Sequence, residues 1–167
     1  MSNDVTYKQV IHKEVIQPLW NVVKEIRDEV GSIMENRGEE LCSASQMTAS
    51  ELVENAVKYG FAIDVAADRG IEFQIDVTDR EIMVTVTNRA ASEQDLTNLV
   101  THIDAINESD DPQSLYVQRL TELMNTDGQT GSQLGLYRIA YEGAFSLTYE
   151  VADSVITVKA YRKIATS

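Results

Sequence analysis

The sequence contains few of the residues that stabilise secreted or membrane proteins. Cysteine occurs once, at Cys42, so no disulfide can form within the chain, which argues against a disulfide-stabilised extracellular scaffold. One cysteine and two histidines cannot supply the ligands of a structural zinc site. No hydrophobic run approaches the length of a membrane span, and the polar residues 1–7 do not resemble a signal peptide. We therefore expect a cytoplasmic protein.

Basic residues are also scarce. The chain has 14 lysines and arginines against 27 aspartates and glutamates, which gives a formal net charge of −13. A surface this negative repels nucleic acid and anionic lipid, so we expect neither as a partner. Proline occurs only at Pro18 and Pro112, and no repeat or low-complexity linker interrupts the sequence. We therefore predict a single domain across residues 1–167.

The hydrophobic pattern predicts strands in adjacent hairpins, with helices in blocks between them. A strand at 5–13 is followed by helices at 18–36 and 41–59. The other predicted elements are a hairpin of 71–77 and 82–86, helices at 92–106, 115–124 and 134–141, and a closing hairpin of 145–151 and 155–161. This order favours an α+β fold, a two-layer α/β sandwich whose mixed, mostly antiparallel sheet is covered on one face by helices.

Residues 48–60 carry the most informative polar pattern. They read TASELVENAVKYG, and on a helix Glu51, Asn55 and Tyr59 share one face. The amide oxygen of Asn55 suits Mg²⁺, which is usually held by one or two protein oxygens together with substrate phosphates. Lys58 can offer a charge to a phosphate, and Glu51 can accept a proton from a water or a hydroxyl. The segment therefore predicts a metal and phosphate site.

Each of these residues also has a purely structural interpretation. Thr48 and Glu51 fit a capping box at a helix start, and Lys58 fits an ion pair with Glu54 one turn earlier. Asn55 fits a buried hydrogen bond. A helix that begins well before Thr48 would weaken the capping alternative, but the sequence leaves both interpretations open.

The pattern from Glu51 to Tyr59 resembles a known family motif. Glu-x-x-x-Asn-Ala-x-Lys-Tyr is similar to the N-box of the histidine-kinase-like ATPase superfamily, also called the GHKL or Bergerat-fold proteins. The nearest resemblance is to the stand-alone anti-sigma-factor and SiaB-type serine/threonine kinases. The resemblance implies that Asn55 binds Mg²⁺, that Glu51 is the general base, and that Lys58 and Tyr59 contact the nucleotide.

A second stretch, near the C-terminus, resembles the second glycine box of the same family. It reads GSQLGLYRI where the family has Gly-x-Gly-Leu-Gly-Leu at the start of a helix, so Gln133 replaces the middle glycine. In such boxes, backbone N–H groups at a helix N-terminus bind phosphate. Considered without the N-box, the glycines fit equally well as loop and helix-packing residues. The residues that the resemblance assigns to phosphate binding are Gly131, Gln133, Leu134, Gly135 and Leu136.

The sequence departs furthest from the family pattern at the first glycine box, Asp-x-Gly-x-Gly. At its expected position, after the second strand of the first hairpin, the chain reads Asn88-Arg89-Ala90-Ala91-Ser92. By resemblance, Asn88 faces adenine in place of the aspartate and brings an acceptor oxygen without a charge. Neither glycine remains, and alanine adds a Cβ where close approach to adenine is needed. We therefore expect weakened or altered binding of ATP.

The resemblance implies an ATP-binding regulatory protein of bacterial signalling. As a serine/threonine kinase of the partner-switching type, it would transfer the γ-phosphoryl group of Mg·ATP to a serine or threonine on a small partner protein. The alternative is a non-catalytic partner-binding module on the same fold, which Ala90, Ala91 and Gln133 favour. Related domains often dimerise, so a homodimer is an option that the sequence leaves open.

Overall fold

The structure, a computed structural model, describes residues 4–12, 19–64, 69–125 and 134–164. The elements are β1 (Val5–Ile11), α1 (Leu19–Ile33), α2 (Glu39–Tyr59), β2 (Gly60–Phe61), β3 (Ile71–Val77), β4 (Glu81–Ala90), α3 (Glu93–Glu108), α4 (Pro112–Asn125), α5 (Leu134–Tyr141), β5 (Ser146–Ala152) and β6 (Val155–Lys163). The sheet has the order β1-β3-β4-β6-β5, and β2 pairs with the end of β4. Each described strand pair is antiparallel. The predicted α+β, two-layer fold is confirmed.

The two central strands alternate between buried and part-exposed residues. In β3 the buried side chains are Ile71, Phe73, Ile75 and Val77, and β4 continues the same face. Strict alternation places one face of an antiparallel sheet in the core and leaves the other open. The helices cover the apolar face, where α2 and α3 contact β4 and α5 contacts β5.

Helix α2 is the central element of the helical layer. It begins at Glu39, directly after Gly38, whose φ of 96° lies in the left-handed region that favours glycine. Its N-terminal N–H groups are therefore more than two turns away from Thr48, which is fully buried in the middle of the helix. The capping-box interpretation of Thr48 and Glu51 is therefore wrong.

The end of α2 is tied directly to the end of β4. Gly60 and Phe61 form the two-residue strand β2, in which Gly60 pairs with Ala90, and the N–H of Ala91 donates to the carbonyl of Tyr59 at 3.0 Å. The hydrophobic pattern did not predict β2, because two residues carry no periodicity. Its pairing brings the helix that carries Glu51, Asn55 and Tyr59 beside the segment that begins at Asn88.

Helix α3 begins where the sequence predicts. The side chain of Ser92 caps it by accepting a hydrogen bond from the N–H of Asp95 at 3.0 Å. In the part of the chain that the structure describes, no helix is long and apolar enough to cross a membrane.

Candidate functional site

A pocket of about 450 Å³, counting the part open to solvent, lies between α2, α3 and the inner face of the sheet. Its walls are mostly apolar, and Asn55, Tyr59, Asn88 and Asp95 add polar groups. An apolar cleft with a few convergent polar groups is the usual form of a small-molecule site. The apolar lining comes from Leu52, Ala56, Val86, Ala90, Leu96, Leu99, Leu136, Ile156 and Val158.

Four residues that the sequence selected meet in this pocket. Asn55 and Tyr59 come from α2, Asn88 from β4 and Leu136 from α5. The pairing of β2 with β4 explains the meeting of the first three, because it places the last turn of α2 against the end of β4. The two segments that resemble the N-box and the first glycine box therefore contribute to one site.

Asn88 is held in a fixed position. Its side chain is buried, with 7% of the residue exposed, and its Nδ2 donates to the carbonyl of Arg89 at 3.1 Å. Gly60 permits this arrangement, since a Cβ on Gly60 would collide with that Nδ2 and with the carbonyl oxygen of Ala56. With Nδ2 engaged, the acceptor oxygen Oδ1 is the atom that Asn88 can present to a ligand.

Asn55 carries a polar atom that no described residue satisfies. Its Nδ2 is buried and has no hydrogen-bond partner among the described residues, although buried amide groups are nearly always paired. A half-turn of the amide would exchange the nitrogen and the oxygen. The group can therefore donate to a phosphate oxygen or offer an oxygen to a metal ion.

Glu51 lies one turn before Asn55, between α2 and α5. Its Oε1 accepts a hydrogen bond from Nη1 of Arg138 at 2.9 Å, and Arg138 also donates through Nε to Glu142 at 3.1 Å. Burial raises the pKa of the Glu51 carboxyl and the charge of Glu54 raises it further, whereas Arg138 and Lys58 partly offset the increase. A carboxylate with a raised pKa accepts protons more readily, as a general base must.

The other selected residues lie elsewhere. Lys58 is outside the pocket lining, with its side chain 55% exposed and its Nζ 4.0 Å from an oxygen of Glu54, as the ion-pair alternative predicts. Leu134 begins α5, and Gly135 faces the carboxylate of Glu51. Gly131 and Gln133 lie outside the described residues.

Sequence reasoning missed Asp95, Leu96 and Leu99 as pocket residues. The sequence marked Asp95 only as part of a helix start, and its carboxylate does accept from the Ser92 hydroxyl at 3.0 Å. The first turns of α3 reach the pocket because α3 packs over the end of the sheet, where it contacts β4 and β5. That packing is tertiary, so no local sequence pattern signals it.

The charges of the pocket lining determine whether a nucleotide could bind there without an added cation. No lysine or arginine is among its described lining residues, so phosphates there would require a cation. The described residues form no group of three or more His, Cys, Asp or Glu that could hold a metal ion. Mg²⁺ bound with phosphates needs only one or two protein oxygens, and Asn55 and Asp95 can supply them.

No protein-family model matches the chain, and no curated protein matches it. The function proposed below therefore depends on the residues and geometry of the pocket.

Proposed function

We propose that the chain binds ATP with Mg²⁺ in this pocket and transfers the γ-phosphoryl group to a serine or threonine of a small partner protein. The observation that carries the proposal is the buried Nδ2 of Asn55, which has no hydrogen-bond partner among the described residues. It lies in a pocket that Tyr59 and Asn88 also line. These are the positions at which the resemblance to histidine-kinase-like ATPases expects nucleotide contacts.

The lining supports the binding of a flat base beside a charged group. Leu96 and Leu99 on α3 lie across the pocket from the sheet residue Ile156, which gives apolar walls for a ring. Oδ1 of Asn88 would accept from an exocyclic amino group such as that of adenine. Asn55 would hold the metal or a phosphate oxygen, and Mg²⁺, when bound, would neutralise the phosphate charge.

Glu51 is suited to the proton transfer of this reaction. As the acceptor hydroxyl oxygen bonds to the γ-phosphorus, the bond from phosphorus to the β-phosphate oxygen breaks and ADP leaves. The hydroxyl proton passes to the carboxylate of Glu51, whose raised pKa favours its acceptance. Arg138 holds Oε1 of Glu51 and so fixes the direction in which the carboxylate points.

The same contacts favour a second function, a non-catalytic binding module. The ion pair with Arg138 gives Glu51 a structural role as a link between α2 and α5. Lys58 also lies away from the pocket, and Ala90 lines it where the family has glycine. In this alternative the pocket binds no nucleotide, and the fold serves only a partner.

Thermal unfolding with different nucleotides tests the proposal. Mg·ATP should raise the unfolding temperature. Chelation of Mg²⁺ should remove most of the increase, because no basic residue is among the described residues of the lining. Mg·GTP should stabilise less, since guanine presents a carbonyl oxygen where adenine presents its amino group to Asn88. Equal unfolding temperatures with millimolar Mg·ATP and without nucleotide would contradict the proposal and support the binding module.

A further inference from the structure

Helix α4 exposes an apolar face to solvent. None of its residues, all of which the structure describes, is fully buried. Val117 is 53% exposed, Leu120 37% and Met124 76%. Their spacing places all three on one side of the helix, and we name Val117, Leu120 and Met124 the α4 face.

The α4 face is not the side by which the helix is attached. Leu115 and Tyr116 pack from α4 against the core, so the helix is apolar on both sides. Tyr141 on α5 is 39% exposed, and its ring centroid lies 5.5 Å from that of Tyr116. Of the seven large hydrophobic side chains exposed in the described part of the chain, four therefore belong to this one region. Clustered exposure of this kind is typical of an interaction surface.

The region continues to the proposed general base. Tyr141, whose ring contacts that of Tyr116, lies one turn after Arg138 on α5. Arg138 in turn donates to Glu51 at 2.9 Å. A protein seated on the α4 face and extending over Tyr141 would therefore approach the Arg138–Glu51 pair.

The charge around the α4 face selects the kind of partner. Within α4 the one arginine, Arg119, is paired with the one glutamate, Glu122, at 3.3 Å. The exposed carboxylates of Glu108, Asp110 and Asp111 directly precede the helix and leave this region negative. A second copy of the chain would bring two such acidic regions together, and an anionic lipid surface would be repelled in the same way. A segment with an apolar stripe flanked by lysine or arginine would complement both the shape and the charge.

We propose that the α4 face docks an amphipathic, basic segment of the protein that receives the phosphoryl group. The identity of this protein as the acceptor rests on the proposed function, whereas the docking itself does not. The partner's apolar side chains cover Val117, Leu120 and Met124, and its acceptor hydroxyl lies beyond Tyr141, toward Glu51.

A model peptide tests the docking. The probe is a fluorescein-labelled peptide of leucine and lysine that forms an amphipathic helix, and its binding is followed by fluorescence anisotropy. Val117→Ser should weaken binding about tenfold. Val151→Ser is the matched control, because Val151 is 44% exposed on the edge strand β5, and it should bind as the wild type does. Both side chains are exposed, so both variants should keep the wild-type unfolding temperature.

Two further peptides distinguish specific docking from non-specific binding. A scrambled leucine–lysine peptide of the same composition, and a leucine–glutamate helix, should both bind much more weakly than the probe. Equal binding of the probe to the two serine variants, or equal binding of the acidic helix, would overturn the proposal. So would sedimentation showing a wild-type dimer that Val117→Ser converts to a monomer, since the occupant would then be a second copy. All measurements are made without nucleotide, so a failure of ATP binding would not change them.

Discussion

The carboxylate of Glu51 fills the space in which a side chain on Gly135 would lie. The two residues come from α2 and α5, and Arg138, one turn further along α5, donates to the same carboxylate at 2.9 Å. Gly135 therefore lets the helices approach until their ion pair forms. The sequence offered two explanations for this glycine, phosphate binding and helix packing, and its contact with Glu51 favours packing.

Gly135→Ala should destabilise the protein by about 1–3 kcal/mol, because the added methyl group displaces a carboxylate that is held by an ion pair. The free energy of unfolding in urea measures the loss. Gly31→Ala is the control, since its Cβ would meet only the end of the Gln46 side chain. Alanine also favours a helix over glycine by about 1 kcal/mol. A Gly135→Ala variant as stable as Gly31→Ala would show that the close approach of α5 to the Glu51 carboxylate does not contribute to stability.

Asn88→Asp introduces the aspartate that stands at this position in the first glycine box of the family that the sequence resembles, yet it should weaken the fold. A carboxylate oxygen would replace the Nδ2 that donates to the carbonyl of Arg89 at 3.1 Å, at a position that is 7% exposed. We expect a loss of about 1–3 kcal/mol in the free energy of unfolding. Asn107→Asp, on the exposed side of α3, should lose much less. An aspartate variant of wild-type stability with tighter ATP binding would contradict this account of Asn88.

His102 should make stability depend on pH. Burial and then the charge of Arg119 lower the pKa of its imidazole, against a smaller opposing effect of Glu122, and its Nδ1 is hydrogen-bonded to the Tyr137 hydroxyl. The unfolded chain, whose histidine titrates near 6.5, then binds more protons than the folded chain below about that pH. The free energy of unfolding should therefore fall as the pH decreases from about 6.5 toward the lowered pKa of the folded state.

The measurement compares urea unfolding of wild type and His102→Gln across this pH range. The variant should lose part of the decrease in the free energy of unfolding, because it lacks the imidazole whose pKa the fold lowers. Identical pH dependence in His102→Gln and wild type would show that this imidazole is not held neutral by the fold.

Glu51→Gln tests the proposed general base. The amide keeps an acceptor oxygen for Arg138 but cannot take a proton. Transfer of the γ-phosphoryl group of Mg·ATP to the acceptor hydroxyl, followed as release of ADP, should therefore fall by about 10²- to 10⁴-fold with ATP binding unchanged. Wild-type rates should rise with pH through a pKa above that of an ordinary glutamate. Glu54→Gln should move this inflection to lower pH, because the charge of Glu54 raises the pKa of Glu51. Full activity in Glu51→Gln would leave Glu51 with only its structural role.

The elements of the fold were largely predictable because they have strong periodicity. The hairpin of β3 and β4 alternates at every position, and Gly60 ends α2 as expected. The order of the strands in the sheet was harder to predict from the sequence, because the pairing of β4 with β6 joins strands that are far apart in sequence. Such pairings depend on tertiary packing, which a local pattern does not record.

The site was predictable where its residues belong to a local motif. Asn55 and Tyr59 lie at helical spacing, and Asn88 stands at a position defined by the end of a strand, so the sequence could select them. Lys58 could not be assigned a role from the sequence alone. Its position fits both a phosphate contact and an ion pair with Glu54, and no local pattern distinguishes the two. Asp95 reaches the pocket only through the placement of α3.

The central claim is that Asn55 holds Mg·ATP, and calorimetric titration tests it most directly. Wild type, Asn55→Ala and the exposed control Asn107→Ala are each titrated with ATP in the presence and absence of Mg²⁺. We predict saturable, Mg²⁺-dependent binding to wild type and Asn107→Ala that Asn55→Ala abolishes, with little loss of stability because Nδ2 has no partner to lose among the described residues. Binding that is unchanged in Asn55→Ala, or no binding by the wild type at millimolar ATP, would contradict the claim.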